Sequence, residues 1–200
     1  MNRKLVSLIL VIFLLYLPGC GGTGSLTKSF QREDASLAFI QTVAIFPFEG
    51  SDRAPRIREF AMTEVLASGI FDVVDKGRVD NIMQQEVIAP VAPLDSTTIR
   101  RMGQRLNVQA ILFGSVEETI ESRGNASFPE ITITLRLIDC ESGLILWQAS
   151  GRGSGYSLTD RLFGTTPKDS FAVTMELLDD LFATIGYATV EETDESPEQE

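Results

Sequence analysis

Histidine is absent from this 200-residue chain, so the commonest general base and the commonest metal ligand are missing together. Nucleophiles activated by histidine and His-ligated zinc are thereby excluded. Carboxylates remain for acid–base work: Asp72 and Asp75 flank a short apolar stretch, Asp139 opens a turn, and Asp179-Asp180 sit side by side on an expected helix. A carboxylate pair of the glycosidase kind needs one raised pKa inside a cleft. Nothing in the pattern around these five residues forms a cleft, and solvated helix-face charge accounts for them. Gly151-Arg152-Gly153-Ser154-Gly155 lacks the spacing of a phosphate-binding loop and reads as a flexible exit from the last strand. Arg100, Arg101 and Arg105 make a small basic patch that reads as a solvated face, and Cys140 reads as a small, partly buried hydrophobe. The expectation is a protein with no catalytic residues, no metal and no cofactor.

The other cysteine is different. Arg3-Lys4 precede a thirteen-residue, predominantly apolar run, Leu5 to Leu17, followed by Pro18-Gly19-Cys20. Thirteen helical residues span about 20 Å, short of the ~30 Å hydrocarbon core, so the segment reads as an export signal. Leu17-Pro18-Gly19-Cys20 resembles the bacterial lipoprotein signal, in which cleavage before the cysteine frees it for acylation. The resemblance implies palmitate or a similar acyl chain on Cys20. Gly21, where an aspartate would retain the chain at the inner membrane, implies anchoring to the outer membrane of a Gram-negative bacterium, on its periplasmic side.

Charge argues against a nucleic-acid partner. The net charge is −11; residues 1–19 contribute +2 and residues 188–200 contribute −6, which leaves −7 on residues 20–187. So acidic a surface repels phosphate backbones. The expected organisation is a signal peptide (1–19), a lipidated cysteine with a flexible tether (20–38), one α/β domain (39–187) and a disordered acidic tail (188–200). A tether of that length spans roughly 25 Å, which keeps the domain close to the leaflet.

Within the domain, Thr42–Phe48 reads as a buried strand, Pro55 to Gly69 as an amphipathic helix, and Phe71–Val74 as a second strand. Asp75 caps a helix with Val79, Ile82, Met83 and Val87 as its apolar positions; Asp95 or Ser96 caps another with Ile99, Met102 and Leu106. The period then changes to 2. Strands are expected from Ala110 to about Glu121, over Ile131–Leu137, and over Leu144–Ala149, where Trp147 shares a face with Ile145 and Ala149. Asp139 to Gly143 is a tight turn. A last helix, 169–185, carries a stripe of Phe171, Met175, Leu178, Phe182 and Ile185. The order β-α-β-α-α-β-β-β-α predicts one mixed sheet with helices packed on it, parallel in its first half and an antiparallel meander in its second.

Phe71 to Met83 (FDVVDKGRVDNIM), Gly103 with Ala110 to Val116 (AILFGSV), and Leu135 to Asp139 followed by Ser142 to Trp147 (LRLID, SGLILW) resemble the CsgG-type lipoprotein domain family. That family groups curli assembly and transport lipoproteins with related periplasmic lipoproteins, including activators of peptidoglycan synthases. The resemblance implies a mixed-sheet periplasmic domain that binds other envelope proteins, itself included, and catalyses nothing. The pore-forming member inserts two transmembrane hairpins. Residues 153–170 hold too few alternating positions for them, and the loop Ser122–Pro129 is shorter still. A synthase activator must reach far from its anchor, and this tether is short. A membrane-proximal accessory of curli-type assembly or transport is therefore the leading expectation, with a synthase activator or a carboxylate-dependent hydrolase as alternatives. The expected partner surface is the loop 153–166, where Tyr156, Leu158, Leu162 and Phe163 form an apolar cluster.

Overall fold

The computed structural model describes residues 26–33, 37–89, 94–123, 126–155 and 168–186, with backbone alone at 120–123 and 126–129. Its centre is a parallel core made by the apolar runs of the first half. Strand β2 (Thr42–Ile45) lies between β4 (Asp72–Val73) and β5 (Ala110–Arg123), parallel to both. A short strand β3 (Glu49–Gly50) also pairs with β5. Gly50 is required there: its φ is +107°, and a Cβ would lie 2.0 Å from the Val116 carbonyl oxygen.

The second half is the expected meander. β5 pairs antiparallel with β6 (Ala126–Asp139), and β6 with β7 (Ile145–Ser154). The turn between β6 and β7 is held by Asp139, whose carboxylate accepts from the Ser142 amide and hydroxyl, and by Gly143 at φ +72°. The β5–β6 hairpin is longer than expected. Strand pairing runs out to Arg123 and Ala126, so Ser122–Pro129 is the end of a two-stranded arm and not a loop.

Helices pack on both faces. α1 (Ala54–Ser68) and α4 (Ser170–Phe182) cover one face, burying Ile57, Ala61, Val65, Leu177, Leu178 and Leu181 against Val43, Leu112, Leu135 and Trp147. α2 (Lys76–Gln85) and α3 (Ser96–Leu106) cover the other, over Ala44, Phe46 and Ile111. The molecule is one α/β domain with a seven-stranded mixed sheet in which β1 (Leu26–Gln31) is the edge strand of the order β1-β7-β6-β5-β2-β4, β3 lying off that path.

Five features differ from expectation, each for a local reason. First, residues 26–31 are not tether. Leu26–Gln31 forms strand β1, antiparallel to β7, on the sheet edge. The alternation of Leu26, Lys28 and Phe30 with Thr27, Ser29 and Gln31 fits a strand with one solvated face. Second, β7 does not end at Ala149 in a flexible exit. It runs to Ser154, because Gly151 and Gly153 let α4 approach: a Cβ on Gly151 would sit 2.8 Å from Leu177 Cδ1, and one on Gly153 would sit 2.9 Å from Val173 Cγ1. Third, a bulge between Leu137 and Ile138 shifts the register, so that Leu137 faces Trp147 and Ile138 faces Ile145. Leu146 is thereby buried, and Ile145 no longer shares the deeply buried setting of Trp147. Fourth, the buried stripe of α4 is Val173, Thr174, Leu177, Leu178, Leu181 and Phe182, while Phe171 is exposed and meets Phe60 edge-on at 5.1 Å. Fifth, Val87 follows α2 with φ 55° and is 91% exposed. The amides of Val87 and Ile88 donate to the Gln84 and Met83 carbonyls, a Schellman end that turns Val87 away from the core.

Candidate protein-interaction surface

Each chemically suggestive residue in the described chain has a structural setting of its own. Asp75 caps α2 by accepting from the Arg78 amide, and Asp139 holds the β6–β7 turn. Asp72 is exposed at β4, and Asp179 is exposed on α4, on the opposite side of the sheet from α2. The structure therefore does not gather the five aspartates into one centre. Among the described residues no group of three or more His, Cys, Asp or Glu could hold a metal. Beside Asp179, the Glu64 carboxyl is raised, chiefly by burial and also by the Asp179 charge.

The basic patch is internally compensated. Arg100 donates from Nε and Nη2 to the Glu141 carbonyl at 3.1 and 2.6 Å, while Arg101 and Arg105 both pair with Glu86. Cys140 is buried beneath Gly103, where a Cβ would lie 2.5 Å from Cys140 Cβ. Burial first, and the neighbouring Asp139 charge second, push its thiol up to about 12. A groove of about 700 Å³ beside it includes Arg100, Gln109 and Asp139. These polar groups are already engaged, Gln109 Oε1 accepting from the Gln41 and Thr42 amides at 3.2 and 2.8 Å.

What the fold leaves open lies elsewhere. α2 and α3 cover only the β4-β2-β5 side of their face. Among the described residues no helix covers the meander on that face, where the register aligns Phe30, Gln148, Arg136 and Phe113 in one row and Lys28, Ser150, Thr134 and Ser115 in the next. Thr134 and Ser150 hydroxyls are hydrogen bonded at 2.8 Å. At one end, Phe30, Arg32, Leu144, Ile145 and Gln148 line a shallow groove of about 430 Å³. Leu26, Phe30 and Leu144 are exposed on this side of the molecule, Leu26 by 82%. Exposed apolar groups beside a sheet edge are the ordinary ingredients of a protein contact. Sequence reading missed this surface because it gave residues 26–31 to the tether; Leu26 and Phe30 on one face, with Thr27 and Ser29 on the other, were the available signal. The residues it chose instead, Tyr156, Leu158, Leu162 and Phe163, lie outside the described residues, as does Cys20.

What the described residues define is a class of fold, an α/β domain with one mixed sheet. The family model described as peptidoglycan-synthase activator LpoB matches residues 57–152, from α1 into β7. No curated protein matches the chain. The fold is similar to that of a point variant of the PelC dodecamer from Paraburkholderia phytofirmans, at TM-score 0.54 and 20% identity over 80% of this chain and 96% of that one. It is also similar to lipoprotein GNA1162 from Neisseria meningitidis, at TM-score 0.52 and 14% identity over 72% and 96%. The C-terminal domain of LpoB from Salmonella enterica aligns at TM-score 0.41 and 18% identity over 64% and 88%.

These findings correct the resemblance drawn from the sequence. The matching family model is that of the synthase activator, not the CsgG-type family, and the curli assembly and transport role falls with it. The AILFGSV and LRLID motifs lie in strands β5 and β6, where their apolar residues serve the sheet core. The location expected from the N-terminal segment, the periplasmic side of the outer membrane with the chain anchored there as a lipoprotein, agrees with the matched family. No helix among the described residues is long and apolar enough to cross a membrane.

Proposed function

We propose that this chain is a non-catalytic lipoprotein that binds and activates a peptidoglycan synthase from the periplasmic face of the outer membrane. The observation that supports this reading is the family match over 57–152, which runs through α1, α2, α3 and most of the meander. Acyl chains on Cys20 would provide the anchor. Because β1 starts at Leu26, only residues 21–25 separate the anchor from the sheet. Six residue steps reach about 20 Å, so the synthase must bring its docking surface that close to the leaflet. The open meander face and the β1 edge are the surface offered to it.

The test is reconstitution. Purified full-length protein in detergent is added to a bifunctional peptidoglycan synthase with its lipid-linked disaccharide–peptide precursor. Direct binding and a several-fold rise in polymerisation or cross-linking are expected, with no turnover by the lipoprotein alone. Absence of both binding and stimulation would overturn the reading. Precursor or glycan hydrolysis that disappears in one of the Asp→Asn variants at 72, 75, 139, 179 or 180 would establish the hydrolase alternative instead. Radiolabelled palmitate should enter the wild type and not Cys20→Ser; incorporation that survives the substitution would refute the anchor.

A further inference from the structure

The place where the chain enters β1 bears on which side of the domain meets the membrane. Cys20 stands six residue steps before Leu26, so the start of β1 lies within about 20 Å of acyl chains on that cysteine. Thr27 packs with Leu177 around Gly151, on the side of the sheet covered by α1 and α4. Leu26, Lys28 and Phe30 alternate with it and point to the other side. There Leu144 joins Phe30 and Arg32 around the shallow groove. Leu26 is 82% exposed, Phe30 54% and Leu144 49%. Three large apolar side chains thus lie open to solvent on one side, starting where the tether ends.

The charge of this side is opposite in sign to that of the chain. The register places Lys28, Arg152 and Arg136 on it, with Arg32 beside Phe30. Its carboxylates on the meander are Glu130, paired with Arg152 at 2.9 Å, and Glu117. The sheet face is therefore cationic in a chain of net charge −11. On the opposite side α1 and α4 present Glu64 and the exposed Asp179. Anionic phospholipid headgroups attract basic side chains, and leucine and phenylalanine enter the boundary between headgroups and acyl chains. We infer that Leu26, Phe30 and Leu144 seat in the phospholipid leaflet that holds the Cys20 anchor, with Lys28, Arg32 and Arg136 on its phosphates. The meander then lies face-down on the membrane. This rests on the acylated Cys20 of the preceding reading, and it leaves the β1 edge, not the sheet face, to the synthase.

Quenching by lipid decides the orientation. The full-length lipoprotein is reconstituted into vesicles of phosphatidylethanolamine and phosphatidylglycerol that contain a doxyl-labelled phospholipid. Bimane is attached through Leu144→Cys or Gln148→Cys on the proposed face, or through Asp179→Cys on α4; buried Cys140 stays unlabelled. Several-fold stronger quenching at 144 and 148 than at 179 is expected. Lys28→Glu combined with Arg136→Glu should remove most of that contrast, and exchanging phosphatidylglycerol for phosphatidylcholine should weaken it. Equal quenching at the three sites, or stronger quenching at 179, would overturn the proposal. So would excimer emission from pyrene at 148, which would give the face to a second copy, or shielding of 148 by a synthase and not by lipid. Flotation of the vesicles reads the anchor separately. Protein that fails to float loses the anchor and this proposal together, whereas floating protein without the contrast loses only the proposal. Stimulation of a synthase in detergent, without vesicles, tests the activator reading on its own.

Discussion

Arg58 Nε and Nη2 both donate to the carbonyl oxygen of Ile45, at 3.0 and 2.7 Å, from a side chain only 3% exposed. Ile45 is the last residue of β2, and Arg58 Nη1 continues to Asp80 on α2 at 2.7 Å. One guanidinium therefore joins helices on opposite faces across the carboxyl end of the parallel strands. Arg58→Ala leaves a buried carbonyl without its donors and should cost about 3 kcal/mol. Asp80→Asn removes a carboxylate that is 37% exposed and should cost under ~1 kcal/mol. Urea midpoints of the two variants check the difference. Equal losses would show that the ion pair, and not the carbonyl, matters.

Val87 and Asn107 occupy the same position after successive helices, each with a left-handed backbone and the same pair of amide bonds to the preceding turn. Valine is poorly suited to this region and asparagine tolerates it. Val87→Gly should therefore stabilise the domain by about 1 kcal/mol, read as a raised melting temperature, while Asn107→Gly should change little.

Gly151 and Gly153 are strand residues under α4 and not a hinge. Gly151→Val should destabilise by about 2 kcal/mol or more, since added atoms meet Leu177 and Thr27 at under 3 Å. A flexible exit would accept valine at little cost, and equilibrium unfolding separates the two.

The Cys140 thiol, pushed up to about 12 from an ordinary 9.0, stays protonated in the folded protein long after it would ionise in the unfolded chain. The unfolded state therefore gains the charge first as pH rises. Stability should fall from about pH 9 toward about 12, and Cys140→Ala should flatten that part of the profile. At neutral pH a maleimide should label Cys140 only after unfolding.

Asp169 caps α4 by accepting from the Ala172 amide at 2.7 Å, as Asp75 does for α2 at 3.2 Å. Replacing either by Ala should cost about 1 kcal/mol. Asp95 makes the same bond to Thr98, and this holds its carboxyl below the usual 3.8. Its contribution is present above that value and should be lost as pH falls through the depressed one, which acid titration of wild type against Asp95→Asn would show.

The sheet was legible because its signals are local. Pro55, Gly69, Asp75, Asp95 and Gly143 announce helix ends and a turn through their own backbone chemistry, and Ile131 to Leu137 alternates without a break. What escaped depends on partners distant in sequence. Leu26–Gln31 is a strand only because β7 lies beside it, and Gly151 is rigid only because Leu177 covers it. The phase error at Ile145 came from a bulge set by β6 across the sheet. The candidate surface was missed for the same reason, since it belongs to no single segment. The aspartates carry no catalytic motif in the sequence, and the fold places Asp72, Asp75, Asp139 and the Asp179-Asp180 pair on four different elements.

Strand β1 also decides how the domain would respond to force. With a lipid on Cys20, a pull on the domain enters β1 at Leu26, and its component along the strand axis is borne by the pairing with β7. Six register pairs join β1 to β7, and their hydrogen bonds lie across that axis. Tension therefore shears all six together instead of peeling them one after another. The attachment behaves as a short inextensible strap, stiff up to a threshold and then released as a whole.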